Sequence, residues 1–312
     1  MRPKVLITDA VHEDMLALFS DAGIEIVYTP DTDQVSVEKI IEDFEMLVIN
    51  SKIQVNKNFI DKATKLKVVG RLGSGKEIIN LEYAIHRDIV FHNSPEGNRD
   101  AVAEHCLGLI LGLLNFIPRS FEEIKKHQWN REINRGNELS SKTVGIIGYG
   151  HTGKETAKRL SVFTSKILVY EKYEKGFSND VVQEVEMEEI YTHADIISLH
   201  LPLTNETSQL INDDFINKMA KPFYLINTSR GKIVNESHVL VAMKNKKIVG
   251  YATDVLENEK LNTYSDIEKQ KLKELISENT IITPHIAGWS YESKRKLAQI
   301  LAKKMLLSFK TH

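Results

Sequence analysis

VGIIGYGHTG, residues 144–153, carries four glycines in ten positions, behind an apolar run and ahead of KETAKRLSVF. The apolar start reads as a strand and the stretch after it as a helix, so Gly148, Gly150 and Gly153 fit G-x-G-x-x-G across a strand-to-helix junction. In that setting Gly148 makes the tight turn, Gly150 lets a pyrophosphate approach the backbone, and Gly153 lets helix and strand pack closely, with the phosphate at the helix N-terminus. The pattern also asks for an acid roughly 20 residues on. Glu171, at the end of KILVY, meets that need with a carboxylate for the adenosine ribose hydroxyls, which favours NAD over NADP. Lys172 and Lys175 argue in the opposite direction.

Working outward, short β-branched runs alternate with helical patterns on both sides of this turn. KVLIT, IEIVY, MLVIN, KVVG and IVFHN precede it; TVGII, KILVY, DIISLH, FYLINT, IVGYAT and TIITP make up the later set. Alternation of this kind predicts parallel sheets covered by helices, in two α/β units. Between the units AVAEHCLGLILGLLNFI is apolar on nearly every side, so it is expected to be buried between them or against a second copy, which makes a homodimer the natural expectation. The charged stretch near 257–278 reads as a solvated loop and helix. Nothing repeats at periods of 20 to 50 residues.

A glycine turn does not name a reaction. Three later segments that follow strands bring the chemistry: INTSRGKIVN around Arg230, ATDVLENEK from Asp254 to Glu259, and TPHIAGWS around His285. They offer a guanidinium for a carboxylate or developing oxyanion, an acid, and an imidazole able to act as general acid and base. That set suits interconversion of a 2-hydroxy and a 2-keto acid. Of the 11 histidines, His285 is the one these motifs single out; His200 and His151 are read as structural or cofactor-facing.

The bulk composition agrees with a small-molecule enzyme. The 312 residues are 42% hydrophobic and 27% charged, with Lys+Arg 41 against Asp+Glu 43 and a net charge of −2. No excess of either sign points to nucleic acid or an anionic membrane. Asp9 comes too early for a signal peptide, and the run Cys106–Ile117 is too short for a bilayer. One cysteine, Cys106, excludes an internal disulfide and a multi-thiolate zinc site. The expectations are a cytoplasmic location, no membrane, no nucleic acid and no metal, since His, Asp and Glu do not recur at ligand spacing.

The chain resembles the D-isomer-specific 2-hydroxyacid dehydrogenases over nearly its whole length. The matching segments are VVGRLGSG (68–75), NSPEGNRDAVAEHCLGLIL (93–111), the glycine turn, SLHLPLTNET (198–207), NTSRGKIVNE (227–236), GYATDVLENE (250–259) and PHIAG (284–288). The resemblance implies an α/β fold of two doubly wound parallel-sheet domains. In it a Rossmann NAD-binding domain, 98–286, is inserted into a flavodoxin-like substrate domain, 1–97 plus 287–312, with the active site in the cleft between. It also implies catalytic roles for three residues: Arg230 binds the substrate carboxylate and carbonyl, Glu259 hydrogen-bonds the imidazole, and His285 moves the hydroxyl proton. Hydride is exchanged with C4 of the nicotinamide.

Cofactor contacts are implied for Gly148, Tyr149, Gly150, His151, Thr152, Gly153, Glu171, His200, Pro202, Thr207, Thr228, Ser229, Asp254 and Gly288. Asp254 would lie near the carboxamide. Substrate contacts are implied for Ser74 and Gly75, whose amides receive the carboxylate, and for Arg230. Asn50, Ser51, Lys52 and Arg71 lie in or near segments facing the cleft.

Departures from the family pattern fall at Glu77, Ile78, Ile79 and Asn80, at Asn235 where Asp is common, and at Lys260 where Pro is usual. With Lys260 in place, Glu257 is the alternative to Glu259, and spacing from Arg230 favours Glu259. Lys52 with Arg71 would suit a second anionic group, and Arg135 could reach across from a dimer partner. The first candidate substrate is thus 3-phosphoglycerate, and glycerate with hydroxypyruvate or glyoxylate is the second. No serine-binding regulatory module is expected after residue 312, hence no inhibition by serine. Trp289 is read either as lining the pocket mouth or as packing at the domain junction. The competing class is an NAD(H)-sensing binding protein, which would have no need of Arg230, Glu259 and His285 together; a methyltransferase would need none of them.

Overall fold

A computed structural model describes residues 2–164, 166–277 and 279–311. The chain divides into two compact units: residues 1–99 with 289–312, and residues 100–288.

In the first unit, strands β1 (Lys4–Ile7), β2 (Glu25–Tyr28), β3 (Met46–Ile49), β4 (Val68–Arg71) and β5 (Val90–Asn93) form a wholly parallel sheet of order β2-β1-β3-β4-β5. That is one of the two common doubly wound orders. β3 reads MLVI and is buried at every position, as a strand covered on both faces must be. One face packs on Phe44, Phe59, Ile60 and Ile89; the other packs on Met15, Phe19 and, from the C-terminal helix Tyr291–Thr311, Leu301 and Met305. The contact is flush at Gly70, where an added Cβ would stand 2.2 Å from the Met305 sulfur.

In the second unit, β6 (Val144–Ile147), β7 (Ile167–Tyr170), β8 (Val182–Glu184), β9 (Ile196–Leu199), β10 (Phe223–Asn227), β11 (Ile248–Thr253) and β12 (Thr280–Ile282) form a parallel sheet of order β12-β11-β10-β9-β6-β7-β8. The chain winds outward from β6 through β7 to β8, then restarts at β9 on the other side of β6. Ligands of open parallel sheets collect outside the carboxyl ends of the strands at such a reversal, and the glycine turn leaves the carboxyl end of β6.

The long apolar run between the units resolves into two helices that differ in character. Helix Arg99–Leu114 buries Val102, Ala103, Cys106, Leu109, Ile110, Leu113 and Leu114, most of them within the second unit's core. It does not hide every side: Gly108 is exposed, and Leu107 and Leu111 are half-buried. Phe116 then turns the chain through a left-handed backbone (φ +51°), and helix Ile117–Lys125 leaves the first at a 62° bend without burying a single residue. Among the described residues no single helix is long and apolar enough to cross a membrane.

Candidate functional site

The glycine turn shows why each glycine is there. Gly148 has φ +94°, and a Cβ on it would come within 2.4 Å of the His200 carbonyl oxygen. Gly153 sits in the first turn of helix His151–Leu160, where a Cβ would meet the Gly148 carbonyl at 2.2 Å. Gly150, the residue that caps this helix, has nothing within 4 Å of an added Cβ. Two glycines therefore serve packing, and the third leaves open space in front of a helix N-terminus, where backbone N–H groups favour an anion. His151 is exposed and Thr152 half-buried at that terminus. Tyr149 stacks on Phe177 at 4.3 Å.

Glu171 follows β7. Its Oε2 accepts from the Tyr149 amide at 2.7 Å and its Oε1 from the Tyr173 amide at 2.9 Å, so the acid lies against the glycine turn. Lys172, next to it, reaches Glu206 at 2.6 Å, and Lys175 faces Glu184 and Glu186. Both lysines are occupied by acids.

The loop after β9 is built around buried polar groups. His200 Nε2 meets Ser198 Oγ at 2.9 Å, and Ser198 Oγ meets the Cys106 sulfur at 3.3 Å. Burial pushes the His200 imidazole down to about 4 and the Cys106 thiol up to about 11, so both are neutral near pH 7. Pro202 and Thr207 close their loop on each other, Thr207 Oγ1 donating to the Pro202 carbonyl at 2.6 Å. Ser229 ties this loop to the one after β10: its hydroxyl donates to the Leu199 carbonyl at 2.6 Å and accepts from the Leu201 amide at 3.1 Å. His200 Nδ1 and Thr228 Oγ1 are buried without a hydrogen-bond partner. An open glycine cradle and two orphaned polar atoms on the adjacent loops fit a dinucleotide's need for a close backbone and additional polar contacts.

A folded state that resists charging His200 loses stability as the medium drops below the imidazole's unfolded value, 6.5, toward about 4. Stability is fully present above that window, and the contribution lost by pH 5 is roughly 2 kcal/mol. In urea unfolding at pH 7 and pH 5, His200→Gln is expected to lose that much less than wild type. Equal losses in both proteins would sink this reading.

Arg230 follows β10, and its Nη1 donates to the Ser229 carbonyl at 2.8 Å. Asn227, fully buried, shapes that turn by donating to the Arg230 carbonyl and accepting from the Ser229 amide, each at 3.0 Å. The next residue, Gly231, runs against the segment after β11, where a Cβ would fall 1.8 Å from the Leu256 carbonyl. This contact brings the Arg230 loop alongside the acidic segment 257–259. Helix Glu236–Lys244 starts just beyond, capped by Asn235, which accepts from the His238 amide.

Glu257, the alternative to Glu259, belongs to another arrangement. It accepts from the Glu236 amide at 2.9 Å, Glu236 accepts from the Glu257 amide at 2.8 Å, and Lys271 faces both carboxylates. Glu259 Oε2 instead lies 3.0 Å from His285 Nδ1, both side chains about half exposed. His285 has a left-handed backbone, φ +57°, a conformation that costs a non-glycine residue about 1 kcal/mol or more. Asp254 over-determines it. The Asp254 carbonyl accepts from the His285 amide at 2.8 Å, Oδ1 from Ile286 at 2.9 Å and Oδ2 from Ala287 at 2.7 Å. Gly288 follows this turn.

In the first unit, Asn50 and Ser51 follow β3, and Arg71 ends β4. Arg71 Nε donates to the Asn50 carbonyl at 2.9 Å, and the Asn50 amide donates to Asp9 at 2.9 Å. The Ser74 carbonyl accepts from Asn93 at 2.8 Å, while Gly75 is buried. Lys52 is exposed and donates to the Pro30 carbonyl. Arg135 pairs with Glu132 in its own chain. Trp289 is exposed. Asp9 and Lys271 lie outside the quoted motifs, and Glu236, His105 and Thr283 lie inside quoted segments that assign them no role, because each acts through a contact made only in the fold.

Residues 107–287 match the family described as D-isomer specific 2-hydroxyacid dehydrogenase, NAD binding domain. The chain belongs to the D-isomer-specific 2-hydroxyacid dehydrogenase family, and this stretch is its NAD-binding domain. It is 34% identical to a D-3-phosphoglycerate dehydrogenase of Methanocaldococcus jannaschii, over 97% of this chain and 56% of that one. It is 33% identical to a glyoxylate reductase of Thermofilum pendens, over 99% of this chain and 92% of that one. The chain thus spans about half the length of the phosphoglycerate dehydrogenases it matches. Among solved structures, D-lactate dehydrogenase of Aquifex aeolicus, complexed with NAD and lactic acid, superimposes with a TM-score of 0.84 at 27% identity, over 98% of this chain and 96% of that one.

Proposed function

We propose that this protein is an NAD-dependent oxidoreductase that interconverts a D-2-hydroxy acid and its 2-keto acid. The observation that carries the reading is the His285–Glu259 pair, 3.0 Å apart, in the same unit as the glycine turn and on loops at the carboxyl ends of its strands. A carboxylate only accepts, so His285 Nδ1 carries a proton toward Glu259, and Nε2 is the atom that exchanges one with substrate. A bound nicotinamide supplies or takes up the hydride. In reduction, Nε2–H would give its proton to the carbonyl oxygen, which becomes the hydroxyl, and in oxidation Nε2 would take that proton back. Arg230, braced by the Ser229 carbonyl, holds the carboxylate. Glu171 beside the glycine turn favours NAD over NADP.

The first candidate substrate is the pair 3-phosphoglycerate and 3-phosphohydroxypyruvate, supported by the two cations Lys52 and Arg71 and by the phosphoglycerate dehydrogenases at 34% and 33% identity. Glyoxylate or hydroxypyruvate reduction is the second, because the Thermofilum relative is matched across 92% of its length and both cations already serve backbone carbonyls of their own unit. Pairing with a second copy belongs to the same reading, supported by the exposed apolar side chains Ile117, Phe121 and Ile124 on helix Ile117–Lys125 and by Trp129 and Ile133 after it.

The test is the initial rate of NADH oxidation with phosphohydroxypyruvate, hydroxypyruvate, glyoxylate and pyruvate in parallel, on protein whose mass in solution is measured by light scattering and expected to be that of two chains. Preference for phosphohydroxypyruvate supports the first candidate, and preference for hydroxypyruvate or glyoxylate replaces it with the second. Silence on all four removes the dehydrogenase reading, and a one-chain mass removes the dimer.

A further inference from the structure

We propose that His105 and Thr283 are positioning residues, a one-way hydrogen-bond relay that holds Asp254 and, through it, the turn presenting His285. His105 lies on helix Arg99–Leu114, remote in sequence from the loops that carry Arg230, Glu259 and His285. Its Nε2 stands 2.9 Å from Thr283 Oγ1, and Thr283 Oγ1 stands 2.6 Å from Asp254 Oδ1. A hydroxyl has one proton to donate, and a carboxylate can only accept. The Thr283 proton therefore points to Asp254, and His105 must supply the proton on the other side, which fixes its ring with hydrogen on Nε2. The direct distance from His105 Nε2 to Asp254 Oδ1 is 3.7 Å, so the hydroxyl is the shorter route between them.

Asp254 is 1% exposed and anchors the turn with donors from three directions. Oδ1 takes the Thr283 hydroxyl and the Ile286 amide, Oδ2 takes the Ala287 amide, and the main-chain carbonyl takes the His285 amide. Three consecutive amides thus converge on one residue and hold His285 at φ +57°. Without the hydroxyl, Oδ1 is left with one donor in a buried place, and the carboxylate can rotate toward water. The imidazole then loses a fixed direction, while the glycine turn, after β6 with three strands between it and β12, is untouched. A loss confined to orientation is read in turnover rather than in binding.

The kinetic part of the test rests on the dehydrogenase reading; the exchange part does not. Thr283→Val and His105→Leu remove the relay, whereas Thr283→Ser and His105→Gln keep a hydroxyl and an N–H donor. Amide hydrogen exchange of the full chain, followed by mass spectrometry on peptides covering 284–289, is expected to be several-fold faster in the first two variants and near wild type in the second two. With the preferred keto acid, kcat is expected to fall about tenfold in the first two, with KM and NADH affinity near wild type and with recovery in Thr283→Ser. Unchanged exchange at 284–289 in Thr283→Val overturns the relay whatever the kinetics, and so does an equal loss in Thr283→Val and Thr283→Ser. If Thr283→Val does not fold, His105→Leu, changed at a partly exposed side chain, decides in its place. Wild-type protein inactive on every keto acid would remove the dehydrogenase reading and leave the exchange result to judge the relay alone.

Discussion

Replacing His285 with alanine is expected to lower kcat for keto-acid reduction by about a thousandfold, within the range usual for loss of a positioned general acid, while NADH affinity stays within about twofold. The separation of the two effects follows from where the groups lie. His285 stands beyond β12 and pairs with Glu259 at 3.0 Å, whereas the glycine turn leaves β6, with three strands between them in the sheet. Removing the imidazole opens no cavity in a core, because the side chain is half exposed, so the melting temperature is expected to change little. Steady-state rates with a fluorescence titration of NADH check both halves. Turnover at the wild-type level would take the proton-transfer role from His285. A thousandfold loss together with intact NADH binding would also count against a nucleotide sensor, since a sensor has no turnover to lose.

Much of the fold was legible in the sequence because parallel sheets buried on both faces write themselves as short, continuous apolar runs. MLVI, VGII, IISL and FYLIN are each buried at every position, and every such run became a strand. β8 has no such signature, for the complementary reason. It is a three-residue edge strand, VQE, with one buried side chain, and an edge strand needs no apolar signature on its outer side. The run from Ala101 to Ile117 is apolar enough to suggest burial on nearly every side, but composition does not show that the chain bends by 62° at Phe116 and that helix Ile117–Lys125 buries no residue.

At the candidate site, spacing from Arg230 favours Glu259 and leaves Glu257, two residues away, as the alternative. The fold separates them through Gly231 and Glu236, whose contacts join segments more than twenty residues apart. The roles of His105 and Thr283, though both lie in quoted segments, and of Asp9 are not written locally, since a hydrogen bond between distant elements leaves no periodic trace in sequence.

The glycine turn offers the sharpest separation of folding from binding, because its glycines answer to different neighbours. Gly153→Ala drives a Cβ to 2.2 Å from the Gly148 carbonyl; neither backbone can yield cheaply, and a loss of about 1 to 3 kcal/mol of stability is expected. Gly150→Ala meets nothing within 4 Å and has ordinary backbone angles, φ −73° and ψ −156°, so its stability is expected to match wild type or rise slightly, by restricting the unfolded chain. Yet the space its methyl takes is that in front of the N-terminus of helix His151–Leu160. A pyrophosphate displaced from those amides forfeits charge-assisted hydrogen bonds worth roughly 1.5 to 3 kcal/mol each, and NADH affinity is expected to fall about a hundredfold. Thermal unfolding and NADH titration on both variants give the comparison. If Gly150→Ala binds NADH as wild type does, the pyrophosphate does not lie against this turn, and the third glycine has no explanation in ligand binding. If it unfolds early instead, the open space is closed in solution by groups that the fold does not place there.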